Sequence, residues 1–196
     1  MKKLIPADSV LIPNTAQKVF TGQIFDVYQW SQAMFDGSKA TFEMLKRPDT
    51  VTSICIVDNK IIVLNEEQPN SGLRKSFPGG RVDETDEDII FAAKREALEE
   101  TGYSFKNWRL IKVWQPHTKL EWFIHLTLAW DVIGQQDTSH EPGEKISIDE
   151  ISFDEVKELV ITKSGYLGES TAIFEELNSM EELLKLPEFS GNQVDR

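Results

Sequence analysis

Three glutamates, Glu96, Glu99 and Glu100, stand three and four residues apart in a stretch whose apolar pattern is helical. At 3.6 residues per turn they fall within an arc of about 100°, so their carboxylates project from one helix face. At 5 Å, two such carboxylates repel by roughly 3 kcal/mol at an effective dielectric of 20. Partly buried, the cluster asks for a cation, and oxygen-only donors suit Mg²⁺ or Mn²⁺, not zinc. Fully solvated, the same pattern is unremarkable, since exposed like-charge pairs cost only about 0.2–0.5 kcal/mol. The neighbours argue for burial. Ile90, Phe91, Ala97 and Leu98 give the helix a wide apolar arc, and Ile89, Ala92 and Ala93 occupy the glutamate side one to two turns earlier. A solvated face carries Lys, Gln or Arg there. Arg95 is four residues before Glu99 and can orient its carboxylate through the guanidinium fork.

The flanks predict where this helix begins and ends. Thr85 or Asp86 can cap its start, Asp88 suits the positive end of its dipole, and Gly102 suits the left-handed position after its last turn. Upstream, Phe77-Pro78-Gly79-Gly80 is a tight approach whose backbone carbonyls are available as further oxygen ligands. His117 and His125 lack His or Cys partners at zinc-site spacing. No Ser-His-Asp or Cys-His arrangement is legible.

The rest of the chain reads as strands that carry this helix. Residues 18–32 and 40–47 are strand-like around the hairpin signal Asp36-Gly37. Residues 50–57 and 60–64 form a second hairpin around Asp58-Asn59, and their near-continuous apolar character predicts central strands. Residues 65–76 read as a polar loop. Strands follow at 108–115, 122–133 and 145–153, with a polar loop at 134–143. Helices are expected near 154–160 and 169–185. Residues 1–15 read as an irregular arm, and 187–196 as a frayed tail.

At 196 residues the chain can form one substantial core. Its net charge of −12, from 33 acidic and 21 basic residues, argues against nucleic-acid binding, which wants a basic footprint. It does not argue against an anionic nucleotide, because a bound metal and a few local cations invert the field. Cys55 is the lone cysteine and sits in an apolar run, as a buried structural thiol would. No apolar run reaches the length of a membrane span, and the early prolines interrupt any signal-peptide core. A cytoplasmic location is expected.

Residues 80–103 resemble the Nudix box: Gly, five residues, Glu, seven residues, Arg-Glu, an apolar residue, one residue, Glu-Glu, one residue, Gly, an apolar residue. Arg95, Glu96, Ala97, Glu99, Glu100, Gly102 and Tyr103 match its tail in order. Glu87 lies eight residues before Arg95, as the first box glutamate does. Six residues separate Glu87 from Gly80, however, which reads as one residue inserted in the loop. In the other alignment Asp86 takes that place. Outside the box, Val19-Phe20-Thr21-Gly22-Gln23-Ile24-Phe25-Asp26-Val27, Trp114-Gln115-Pro116-His117 and Glu121-Trp122-Phe123-Ile124 resemble the ADP-ribose pyrophosphatase and nucleoside-diphosphate-sugar hydrolase branch.

The resemblance implies an α+β fold, a Nudix-type α/β/α sandwich with a mixed sheet and an additional N-terminal antiparallel sheet. It divides the chain into N-terminal strands at 1–48 for dimerisation and pocket building, a hydrolase domain at 49–186, and a tail at 187–196. It implies a Mg²⁺ site, with Mn²⁺ as the alternative, at the Gly79 carbonyl, Glu96, Glu99 and Glu100. Arg95 would orient these carboxylates. Glu144, or failing it Glu141, would be the general base on an acidic loop. The branch's phosphate-binding arginine is here Gln68, for which Arg74 or Lys75 can compensate. Trp114 and Trp122 can stack on a base, and Glu121 can support the metal site or Arg95. Gly79 stands where alanine is common. The expected activity is metal-dependent hydrolysis of a nucleotide sugar by a homodimer. The alternatives are a different nucleoside diphosphate derivative, or a non-catalytic sensor of nucleotide sugars.

Overall fold

The computed structural model describes residues 2–69, 71–140, 142–162 and 172–195. In chain order the strands are β1 (Lys2–Ile5), β2 (Gln17–Thr21), β3 (Asp26–Ala33), β4 (Lys39–Lys46), β5 (Thr50–Val57), β6 (Lys60–Gln68) and β7 (Ser71–Ser76). Helix α1 (Ile89–Thr101) follows, then β8 (Tyr103–Trp114), β9 (Leu120–Glu121), β10 (Ile124–Gln135) and β11 (Lys145–Ile151). The chain ends with α2 (Phe153–Ile161), α3 (Ala172–Glu176), α4 (Met180–Leu184) and β12 (Asn192–Asp195). It divides into two units. One is Met1–Thr50, Val113–Ile124 and Ser190–Arg196; the other is Val51–Lys112 and His125–Phe189.

In the first unit, β2, β3 and β4 form an antiparallel meander, with β9 added parallel to β4 through Leu45↔Leu120 and Lys46↔Glu121. The stretch 18–32 is thus two strands, not one. Gly22 turns the chain by donating its N–H to the Phe25 carbonyl at 2.9 Å, and a Cβ there would lie 2.8 Å from that oxygen. The two ends of the chain also pair: β1 runs antiparallel to β12, where the sequence suggested an arm and a tail. Glu121 is buried in this unit, accepting the Ile12 N–H at 2.7 Å and Lys46 Nζ at 2.8 Å. The Arg47 guanidinium lies 4.5 Å from the Trp122 ring centroid and 5.8 Å from that of Phe25.

In the second unit the sheet order is β11-β6-β5-β10-β8. β6 is central because its residues are apolar on both faces. Ile62 and Leu64 join Cys55, Val57, Ala97, Phe105 and Ala129 in a core beneath α1. Ile61 and Val63, of the opposite parity, are also fully buried. On that side α2 buries Phe153, Val156 and Val160, and Phe174 of α3 stacks against Phe77 and Phe153. Helices therefore cover both faces of the sheet. The stretch 65–76 is a hairpin, not a loop: β6 continues to Gln68 and pairs with β7 through Leu64↔Ser76, Asn65↔Lys75 and Glu66↔Arg74. Its polar side chains satisfy one another, which is how so polar a segment holds a ladder. Arg74, Gln68 and Ser76 all donate to the buried Glu66 carboxylate.

The β6–β7 hairpin leaves β5 without its neighbour beyond Ile56↔Ile61, and residues 78–80 take that edge. The Ser53 N–H donates to the Pro78 carbonyl at 2.7 Å and the Val51 N–H to the Gly80 carbonyl at 2.9 Å. Helix α1 then starts at Asp88, whose carboxylate accepts the Phe91 N–H at 2.7 Å. Asp88 is the cap, in place of the Thr85 or Asp86 expected from composition. The helix stops at Gly102 as expected, with φ +74° and its N–H on the Leu98 carbonyl. Phe91, expected on the apolar arc, is exposed. The buried face consists of Ile89, Ala92, Ala93, Ala97, Glu100 and Thr101, so a glutamate lies on the core side. No helix among the described residues is long and apolar enough to cross a membrane.

Candidate active site

The alanines of α1 let the helix settle close to the sheet, and this brings its glutamates against the glycine approach. Gly79 donates its N–H to Glu100 Oε2 at 2.7 Å. Because the Pro78 and Gly80 carbonyls face β5, the alternation of an extended chain turns the Gly79 carbonyl to the opposite edge, the one that faces Glu100. Gly79 has φ +157°, and a Cβ there would lie 2.2 Å from the Val51 carbonyl oxygen. An alanine does not fit this backbone, although alanine is common at the position in the family resembled. At Gly80 a Cβ would come within 2.6 Å of the Glu96 carboxyl atoms. The two glycines thus serve different neighbours: one lets the chain pass β5, the other makes room for Glu96.

A cavity of about 380 Å³ opens here, walled on one side by Gly79, Gly80, Arg81 and Asp83. Arg95, Glu96, Glu99 and Glu100 form a second wall, and Ser139 and Glu144 a third. The helix glutamates, Arg95, Gly79 and the base candidate Glu144 therefore line one space. Glu141 lies outside the described residues. Gln68 and Arg74 are both bonded to Glu66 and are not among the lining residues; Lys75 bridges Asn65 and Asp149. Trp114, Glu121 and Trp122 belong to the first unit.

Arg95 organises the carboxylates. Its Nη1 donates to Glu96 Oε1 at 2.8 Å and Glu99 Oε2 at 3.3 Å; its Nη2 donates to the Arg81 carbonyl at 2.9 Å. Its remaining edge is taken by Asp86, with Nε on Oδ1 at 3.2 Å and Nη2 on Oδ2 at 3.0 Å. Asp86 is buried, whereas Glu87 is exposed. The residue standing where the first box glutamate is expected is thus Asp86, with five residues between it and Gly80. The extra residue falls after it, not in the loop before Glu87. The five-residue spacing from Gly80 was the signal that could have decided this. Burial pushes the Asp86 carboxyl up, but the Arg95 hydrogen bonds and the Asp83 N–H outweigh it and hold it below the usual carboxylate range.

Exposure falls across the trio, from 43% for the Glu99 side chain to 13% for that of Glu96, with Glu100 only 8% exposed. Burial pushes Glu96 up to about 7 against the pull of Arg95. Burial pushes Glu100 up to about 9, opposed by the Gly79 N–H and reinforced by Glu96, Glu144 and Glu66. Among the described residues five carboxylates line a cavity that holds two guanidinium groups, one of them already bridging Glu96 and Glu99. Among the described residues no three His, Cys, Asp or Glu side chains are placed as a group that could hold a metal ion. The donor set is nonetheless all oxygen, and the excess of negative charge is what a hard divalent cation would relieve.

The loop at 136–140 closes the far end of the helix. The Gln136 N–H donates to the Gly102 carbonyl at 2.9 Å and the Ser139 N–H to the Glu99 carbonyl at 2.8 Å. These bonds satisfy carbonyls that the last helical turn leaves unpaired, and they tether the segment leading to Glu144.

Comparison with known proteins agrees with this architecture. The NUDIX domain model matches residues 46–168. The chain is 27% identical over 164 residues to an ADP-ribose pyrophosphatase of Bacillus subtilis (strain 168), covering 81% of this chain and 83% of that protein. It is also 27% identical over 176 residues to a methanol dehydrogenase activator of Bacillus methanolicus, covering 86% and 92%. A solved structure titled as an ADP compounds hydrolase superposes with a TM-score of 0.62 at 20% identity, over 81% of this chain and 85% of that one, and shares the fold. With the family model spanning most of the chain and its helix carboxylates gathered on one cavity, this chain belongs to the Nudix family and is one of its pyrophosphohydrolases.

Proposed function

We propose that the chain hydrolyses the pyrophosphate of ADP-ribose, or of another nucleoside diphosphate sugar, to a nucleoside monophosphate and a sugar phosphate, with Mg²⁺ or Mn²⁺ as cofactor. The observation that carries this reading is the convergence of Glu96, Glu99, Glu100, Gly79 and Glu144 on one cavity of about 380 Å³. The Gly79 carbonyl and the three glutamates would hold the cation, which when bound supplies charge neutralisation and Lewis acidity toward the phosphates. Arg95 keeps Glu96 and Glu99 in place through its bonds to both, and is itself held by Asp86. Glu144 faces the same space from a separate loop and is suited to take the proton of the attacking water. One P–O bond then forms to that water oxygen and the bridging P–O bond breaks. The similarity to an ADP-ribose pyrophosphatase supports the choice of substrate.

Incubation with ADP-ribose and a panel of nucleotide sugars, with Mg²⁺ or Mn²⁺, should release nucleoside monophosphate. Absence of metal-dependent cleavage across the panel would sink the proposal. The relative described as a methanol dehydrogenase activator supports a second reading, in which the chain modulates a partner enzyme. A partner dehydrogenase whose rate rises on mixing, with no nucleotide turned over, would favour it. A cytoplasmic homodimer is also part of the reading. The fully buried, unpaired Cys55 fits a reducing compartment. The exposed Val19, Phe20 and Ile24 in and beside the N-terminal meander offer a surface for a second copy. Light scattering that finds only monomer at micromolar concentration would refute the dimer.

A further inference from the structure

Among the described residues seven charged side chains line the cavity, of which Arg81 and Arg95 are cationic. Arg95 is committed to Asp86, Glu96, Glu99 and the Arg81 carbonyl. Arg81 is not. Its Nε donates to Asp83 Oδ1 at 2.8 Å, and among the described residues its two Nη groups make no hydrogen bond. Its side chain is 61% exposed. Its backbone, by contrast, is fixed on both sides, because the Gly80 carbonyl is bonded to β5 and the Arg81 carbonyl to Arg95. A guanidinium held by a carboxylate at Nε presents its paired Nη edge, the geometry that grips two phosphate oxygens at once. A polyanion entering this acidic cavity needs such a partner. Of the other candidates for the role, Gln68 and Arg74 are both bonded to Glu66, and Lys75 to Asn65 and Asp149.

We propose that Arg81 binds a phosphate of the substrate through its Nη edge while Asp83 holds its Nε, supplying from the box loop the phosphate-binding arginine that is missing at Gln68. The assignment rests on the hydrolase reading above, and it makes Arg81 a substrate-binding residue of that same site. It restricts the productive substrates to those that present a phosphate oxygen to this wall.

The test compares wild type, Arg81→Ala and Arg81→Lys. KM and kcat are measured with ADP-ribose, and binding of inorganic pyrophosphate and of Mg²⁺ is measured separately by calorimetry. A charge-assisted contact at a partly exposed site is worth about tenfold in affinity. Arg81→Ala should therefore raise KM and weaken pyrophosphate binding about tenfold, with kcat within about threefold and Mg²⁺ affinity within about twofold. Arg81→Lys should recover part of the loss, since it keeps the charge but not the fork. The inference is overturned if Arg81→Ala leaves both KM and pyrophosphate affinity within twofold of wild type, or if Mg²⁺ affinity falls in parallel. Failure of the hydrolase reading is separate. A wild type that turns over nothing but loses pyrophosphate binding on Arg81→Ala removes the reaction and keeps the phosphate site.

Discussion

Replacing Asp86 tests whether the helix carboxylates depend on a residue that lies one position away from the apparent family glutamate. The Asp86 side chain is 1% exposed and accepts from Arg95 Nε and Nη2 and from the Asp83 N–H. Removing one partner of a buried charge pair costs about 3–5 kcal/mol. Arg95 is a quarter exposed and keeps Glu96, Glu99 and the Arg81 carbonyl, so about 2–3 kcal/mol is the better expectation for Asp86→Ala. For a chain of this size that corresponds to a fall in Tm of about 4–12 °C. Turnover should fall about 10–100-fold, because Arg95 loses one of the two anchors that aim it at Glu96 and Glu99. Glu87→Ala, at an exposed position, should stay within about 0.5 kcal/mol and within twofold in turnover.

The same experiment has a pH arm. The folded Asp86 carboxyl lies below its ordinary value, so its contribution is complete above the unfolded value near 3.9 and is lost as pH falls through the folded one. Asp86→Asn should therefore be less stable than wild type at pH 7, with the gap narrowing in acid. Thermal unfolding from pH 7 to pH 3, run beside steady-state kinetics at pH 7, measures both arms. A Glu87→Ala variant that loses as much stability and turnover as Asp86→Ala would refute the assignment and restore the alignment through Glu87.

Three further outcomes follow from the same geometry. Gly79→Ala must either push β5 aside or abandon φ +157°, and overpacking of this kind costs about 1–3 kcal/mol; chemical denaturation checks the loss, and an unshifted midpoint would contradict the close approach to Val51. Glu100→Gln keeps the acceptor for the Gly79 N–H while removing charge, so Mg²⁺ affinity should fall by at least the roughly 10–100-fold typical of an outer-shell partner, with Tm little changed in chelator; unchanged metal affinity would remove Glu100 from the cation site. In metal-free protein Glu96 and Glu100 bind protons more tightly folded than unfolded. Stability should therefore decline as pH rises from about 4.5 through 7 and on to 9, and added Mg²⁺ should flatten that decline. A metal-free stability that increases over this range would show that neither carboxylate is disfavoured in its charged form.

How much of this could be read in advance depended on whether a feature was local. The spacing of Glu96, Glu99 and Glu100 and the stop at Gly102 are properties of one helix, and they stand in the structure as read. The strand character of 50–57 and 60–64 was equally local. The β6–β7 hairpin was not, because its polar residues look like a loop until Glu66 is seen to collect Arg74, Gln68 and Ser76 across the ladder. The pairing of β1 with β12 joins residues almost a whole chain apart, and no local pattern announces it. Asp86 and Glu87 are adjacent acids. The spacing from Gly80 favours the first and the spacing to Arg95 the second, and the direction of the chain after Gly80, which buries Asp86 and exposes Glu87, separates them.

The segment 136–139, which precedes Glu144, is bonded to the same helix that carries the carboxylates. The last turn of α1 leaves carbonyls unpaired, and the segment after β10 supplies two of the missing N–H groups, to Glu99 and Gly102. A side chain larger than hydrogen at Gly102 would strike the Gln136 carbonyl at 2.2 Å, so the glycine that ends the helix also admits this strap. The backbone carbonyl of Glu99 thereby fixes Ser139, five residues before Glu144, while the Glu99 side chain faces the cavity. A cation drawing Glu99 away from Arg95 would act on a side chain whose own backbone carbonyl holds Ser139. In this arrangement the helix terminus and the glycine stop together anchor residues 136–139 beside the cavity carboxylates.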